Sequence, residues 1–144
     1  RSPRVLPGMG VSVPMLVRAL AQPSSTLLLF LPGIAEIEDM AEIMQQLEVS
    51  KQGGLAEPGE VTGFKVFILH SLVQRQGAVF EAPQGGACHV VLASNIAESS
   101  LTLPNVTAII DFCLQRQVEY DSFQGITRLR TVWCSKASAK QRAG

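Results

Sequence analysis

Four short apolar runs, each bounded by glycine, proline or polar residues, set the rhythm of this chain. Thr26–Leu31 is continuously apolar after its first residue and is broken by Pro32-Gly33. A run of that kind marks a strand covered on both faces. Phe64–Leu69, Cys88–Ala93 and Ala108–Phe112 repeat it. Between the runs the spacing turns helical. Val11–Gln22 alternates apolar and polar residues at helical spacing, with Pro14 in its first turn, where a missing N–H costs little. Ile37, Met40, Ala41, Met44 and Leu47 recur every three or four residues, which predicts a helix over Ile34–Val49 with its acids clustered early. A shorter helix is expected after His70-Ser71, running to about Ala82. Ser50–Gly63 carries four glycines and one proline without an apolar period and reads as an exposed, flexible loop.

Strand and helix in alternation predict an α/β domain: a parallel sheet, helices on both faces, right-handed crossovers. After Phe112 the pattern changes. Leu114–Tyr120 and Thr127–Ser135 are strand-like, with Asp121–Gly125 between them, and predict an antiparallel hairpin extending from the sheet. Ligands of open α/β sheets sit beyond the carboxyl ends of the strands. Here those ends are Pro32-Gly33, His70-Ser71 and Ser94-Asn95.

Composition narrows the classes. The 144 residues are 47% apolar and 17% charged, enough for a sizeable core in one domain. Lys plus Arg and Asp plus Glu are equal at 12 each, which argues against coating nucleic acid by charge alone but leaves room for a local basic face. The three cysteines form no C-x-x-C pair, and only His70 and His89 could assist them, so no metal site and no disulfide framework is expected. No apolar run is long enough to span a bilayer and no leader-like segment opens the chain. An intracellular protein, of cytoplasm or nucleus, is the expectation.

The chemistry concentrates in Ala93–Val106, which follows a strand and is crowded with hydroxyl and amide groups. Such groups bond phosphate and ribose oxygens without adding charge. Ser94 or Asn95 could equally cap a helical turn over Ile96–Ser99, and the two uses are compatible, because a helix N-terminus attracts phosphate.

Ser94-Asn-Ile-Ala-Glu-Ser-Ser-Leu-Thr102 resembles motif V of the DEAH-box RNA helicases, TNIAETSLT. Leu29–Ile37 resembles their motif IV, and Leu69-His-Ser71 their LHS element. Cys134–Gly144 is similar to the run into motif VI, QRAGRAGR. The four stand in the family's order. Ile110–Arg116 and Trp133–Lys136 look most like the Tudor-domain-containing members of the piRNA pathway.

The resemblance implies the second of two RecA-like domains. Residues 1–25 would be a linker and leading helix, and residues 26–144 the domain, cut within motif VI. ATP with Mg²⁺ would bind between the two domains, and single-stranded RNA would cross both. Helicase-associated C-terminal domains are further expected partners. The phosphate-cradling loop and the Mg²⁺ ligands belong to the first domain, since no GxxxxGK[ST] and no DEAH sequence occurs here.

By the same resemblance, Gln141 orients water or the γ-phosphate, and Ser100 senses the nucleotide state, unless its hydroxyl merely caps or packs. The family often has a ribose-contacting Asp at the places held here by Pro104 and Asn105; neither offers a carboxylate, so looser base or ribose recognition is expected, with Asn105 a candidate nucleotide-binding residue. Gly33, His70, Ser71, Ser94 and Asn95 match RNA-contacting positions, His70 being equally readable as a buried structural histidine. Arg116, Arg128 and Arg130 on the hairpin could face phosphate or solvent. Arg142 is not one of the arginine fingers, which would follow Gly144 and can matter by roughly 10³–10⁵ in rate.

The isolated chain is therefore expected to be inactive. The alternative is a helicase relative that has lost hydrolysis and serves as an RNA-binding or scaffold module. A small-molecule enzyme on a doubly wound sheet would need an acid–base pair, and Asp111 and Glu98 show no obvious partner in the sequence.

Overall fold

The computed structural model describes residues 9–49, 60–69, 81–94, 103–112, 114–133 and 136–143. Helix α1 (Met9–Leu20) leads into β1 (Ser25–Phe30), α2 (Ile34–Val49), β2 (Phe64–Leu69), β3 (Cys88–Ala93) and β4 (Val106–Asp111). The hairpin β5 (Leu114–Asp121) and β6 (Ile126–Trp133) follows, and α3 (Lys136–Ala143) closes the order. The expected helix after Ser71, the turn over Ile96–Ser99 and most of the 50–63 loop fall outside the described residues.

The four strands form a parallel sheet in the order β2-β3-β1-β4. Burial follows that order. Every residue of the central strands β1 and β3 is buried, whereas β2 and β4, at the edges, are only partly covered. Leu27, Leu29, Leu31, Val90 and Leu92 pack on one face against Val13 and Val17 of α1 and Ile37, Met40, Met44 and Leu47 of α2. The helical spacing read from the sequence thus marks the face of α2 that is buried. Leu28, Phe30, Phe67, Leu69, Val91 and Ala93 form a second cluster on the other face.

Three details depart from the sequence expectation. Helix α1 begins at Met9, so Pro14 is its sixth residue and donates no hydrogen bond to the preceding turn. Strand β4 begins two residues earlier than its apolar run, because Val106 pairs with Thr26 across an irregular register step. The α3 helix has no apolar period and was not expected at all.

The amino ends of β1 and β4 are clamped together. Ser24 and Asn105 both adopt the left-handed backbone conformation, which asparagine tolerates well. Asn105 Nδ2 donates to the Ser24 carbonyl at 3.2 Å, the Asn105 carbonyl accepts from Thr26 N, and Thr26 Oγ1 donates to the Pro104 carbonyl. At the β2 edge, the Glu48 carboxylate accepts the Val66 N–H at 2.7 Å, satisfying a donor that the sheet leaves open.

His89 is buried on the second face, its ring edge-on to Phe67 at 4.8 Å between centroids. Burial, and then the charge of Lys65, push its pKa below the ordinary value. The folded domain therefore keeps the imidazole neutral, while the unfolded chain takes up a proton below about pH 6.5. Stability should be full above that value and fall as pH drops through it, and His89→Phe should remove that part of the slope in urea titrations.

The burial pattern predicts unequal costs along the sheet. Leu29→Ala, in a central strand, should destabilise the fold by about 3 kcal/mol. Val106→Ala, on the exposed edge, should cost less than about 0.5 kcal/mol. Equal shifts in the denaturation midpoint would contradict the strand order.

Candidate functional site

The parallel register brings the carboxyl ends of three strands together. Phe30 lies opposite Ala93 on one side and Asp111 on the other. The Leu31 N–H donates to the Ala93 carbonyl at 2.8 Å, which carries the pairing one residue past β1. Gly33 and Ser94 therefore leave the sheet at the same edge. Gly33 is buried, and its carbonyl accepts the Ile37 N–H in the first turn of α2.

Ser94 is 1% exposed, and its hydroxyl has no hydrogen-bond partner among the described residues. An unmet buried hydroxyl costs about 1–3 kcal/mol. The hydroxyl stands directly after the apolar run Val90–Ala93 of β3. His70, Ser71, Asn95 and Ser100 fall outside the described residues.

Helix α3 reaches the same edge. Among its described side chains Arg142 alone is buried, while Lys136, Ala137, Lys140, Gln141 and Ala143 are exposed. Arg142 Nη1 donates to Asp111 Oδ1 at 2.9 Å, with the arginine side chain 0% and the aspartate 16% exposed. The guanidinium carbon lies 5.2 Å from the centroid of the Phe30 ring. A desolvated cation over an aromatic face gains about 2 kcal/mol, and the carboxylate removes the cost of an unpaired buried charge. Asp111, partnerless in the sequence, thus has a partner 31 residues away. Gln141, the neighbouring residue, is turned outward.

The structure does not bring Asn105 to this edge. It precedes β4 at the amino end of the sheet, a strand length of roughly 15–20 Å away. Its side-chain amide and its carbonyl are engaged with Ser24 and Thr26. The residue that stands where the family places a ribose-contacting Asp is here part of a strand clamp.

The hairpin forms a two-stranded sheet of its own. Arg116 pairs with Thr131, Arg128 with Glu119 and Arg130 with Gln117. The hairpin tip is tightly built: Asp121 Oδ1 accepts the N–H groups of Phe123 and Gln124, and Gly125, at φ 66°, donates to the Asp121 carbonyl. Phe123 is 100% and Tyr120 70% exposed at that tip. Neither stood out in the sequence, where an aromatic inside a polar turn carries no periodic signal.

No group of three or more metal-ligating side chains occurs among the described residues. Cys88 is buried beside the Ser25 hydroxyl, and burial pushes its thiol pKa up, so it behaves as a small core residue. No helix among the described residues is long and apolar enough to cross a membrane.

The buried ion pair generates a stability prediction. Asp111→Ala should cost about 3 kcal/mol, because it strands the arginine charge. Arg142→Met added to Asp111→Ala should restore most of that loss, as buried pairs replaced by apolar groups often do. Thermal denaturation of the three variants would show it, and a double variant no better than Asp111→Ala would refute the pairing as the anchor.

The fold and its carboxyl edge have counterparts among known proteins. The profile of the helicase conserved C-terminal domain matches residues 12–144. The chain is 42% identical over 125 residues to the probable ATP-dependent RNA helicase spindle-E of Anopheles gambiae, covering 83% of this chain and 8% of that protein. It is 41% identical over 121 residues to the ATP-dependent RNA helicase TDRD9 of Danio rerio, with the same coverage. Its backbone superposes on the crystal structure of the E. coli DExH-box NTPase HrpB with a TM-score of 0.73 at 32% identity, over 94% of this chain and 15% of that one. The chain thus spans under a tenth of the length of the curated relatives it matches. It belongs to the helicase conserved C-terminal domain family and, within it, to the DEAH type with a RecA-like fold.

Proposed function

We propose that these residues are the second motor domain of an ATP-dependent RNA helicase, supplying one wall of an interdomain ATP site and part of an RNA track. The observation that carries this reading is the gathering of Gly33, Ser94 and the helix bearing Gln141 at one edge of the sheet. Gln141 and Ser100 serve the nucleotide. Gly33, His70, Ser71, Ser94 and Asn95 hold RNA phosphates through backbone N–H groups and small polar side chains, which gives grip without reading sequence. Arg116, Arg128 and Arg130 of the hairpin extend that phosphate contact.

ATP carries its Mg²⁺ on ligands of the first RecA-like domain, which is the obligate partner. The relatives named above and the strings Ile110–Arg116 and Trp133–Lys136 support a parent near the Tudor-domain-containing members, acting on RNA in cytoplasm or nucleus. The chain alone offers neither a phosphate-cradling loop nor an arginine finger, so it binds weakly and turns nothing over.

In the parent protein, single-stranded RNA should stimulate ATP hydrolysis, and Gln141→Ala should lower kcat at least about tenfold, near 1.4 kcal/mol of barrier. RNA binding that persists without any RNA-stimulated hydrolysis in the unaltered parent would favour the scaffold reading instead.

A further inference from the structure

We infer that Arg142 is a positioning residue for the nucleotide site: it latches α3 to the carboxyl ends of β1 and β4 and thereby sets the direction of Gln141. The inference rests on the reading of Gln141 as the nucleotide-facing residue.

Helix α3 has eight residues, too few to hold its shape or place alone in water. It also lacks an apolar face with which to dock, since its described side chains are exposed apart from Arg142 and the half-buried Ala139. Ala139 and Arg142 are three residues apart and share one side of the helix. That side is held by two different strands at once. Asp111 ends β4 and accepts from Nη1, and Phe30 ends β1 and lies under the guanidinium plane.

Two contacts from two directions fix both the depth and the rotation of the helix. Consecutive helical residues point about 100° apart. With Arg142 turned in, Gln141 is turned out, and its azimuth is no longer free. A lysine in place of Arg142 would keep the charge but lose the planar fork and the stacking.

The test uses the purified parent protein and two readouts. Hydrogen exchange of the α3 amides reads the latch. Arg142→Lys should speed exchange at residues 140–143 at least about tenfold, with the β1 and β3 amides unchanged. Phe30→Leu, which spares the ion pair, should do so by about threefold and stands in if the lysine variant fails to fold.

Steady-state ATPase at saturating RNA reads what is positioned. Arg142→Lys should lower kcat about tenfold and leave KM for ATP within about twofold. Gln141→Ala added to either variant should then cost much less than it costs in the unaltered protein. Unchanged α3 exchange would overturn the latch. Loosened α3 with fully multiplicative losses would overturn the positioning role, and a tenfold rise in KM for ATP would make Arg142 a direct nucleotide contact instead. A silent Gln141→Ala beside loosened α3 would sink the reading of Gln141, and with it the claim of what the latch directs, while the latch itself would stand.

Discussion

Burial of β1 and β3 on both faces is the constraint from which the rest of this domain follows. A strand covered on both sides by helices, loops and other side chains cannot carry polar groups along its length without leaving them unpaired. Leu27 to Phe30 and Val90 to Ala93 are apolar without exception. Polar chemistry is displaced to the strand ends, and the parallel register brings like ends to like ends. Gly33, Ser94 and Asp111 come together because the sheet leaves them nowhere else to be.

The same constraint explains how a helix without an apolar face attaches to an apolar sheet. Helix α3 offers no hydrophobic stripe, so its docking uses a charge. A buried guanidinium is tolerable only with a carboxylate and a face to lie on. Asp111 and Phe30 supply the two from adjacent strands. An apolar anchor would hold the helix as firmly but would leave it freer to rotate, since dispersion contacts are not directional. The ion pair adds direction, which fixes the side that α3 turns outward.

Much of this was legible beforehand, and the reasons for the exceptions are specific. Strands β2 and β3 and helix α2 keep the bounds their periodicity predicts, because each is bracketed by glycine, proline or polar residues. Strand β4 and the hairpin shift by one or two residues, where pairing rather than composition decides the end. Helix α3 left no trace, as Lys136–Ala143 has no apolar period and is anchored through the long-range contacts of Arg142. The importance of Arg142 was hidden for the same reason: nothing in the sequence says that residues 111 and 142 meet. The clamp at Asn105 was hidden too: its left-handed backbone and its bonds to Ser24 and Thr26 join two strands whose meeting the sequence does not announce.

Strand β4 is therefore pinned at both ends, to β1 through the Asn105 clamp and to α3 through Asp111. This has a mechanical consequence. Gly33 continues directly from β1, while Gln141 is oriented through Phe30 of β1 and Asp111 of β4. Gly33 and Gln141 are thus referenced to one pair of strands. Any displacement of α3 would have to break the Arg142–Asp111 pair, which is costly, or carry β1 and β4 along with it. The second is cheaper, because closely packed strands move as a body. On these grounds α3, β1 and β4 move as one piece.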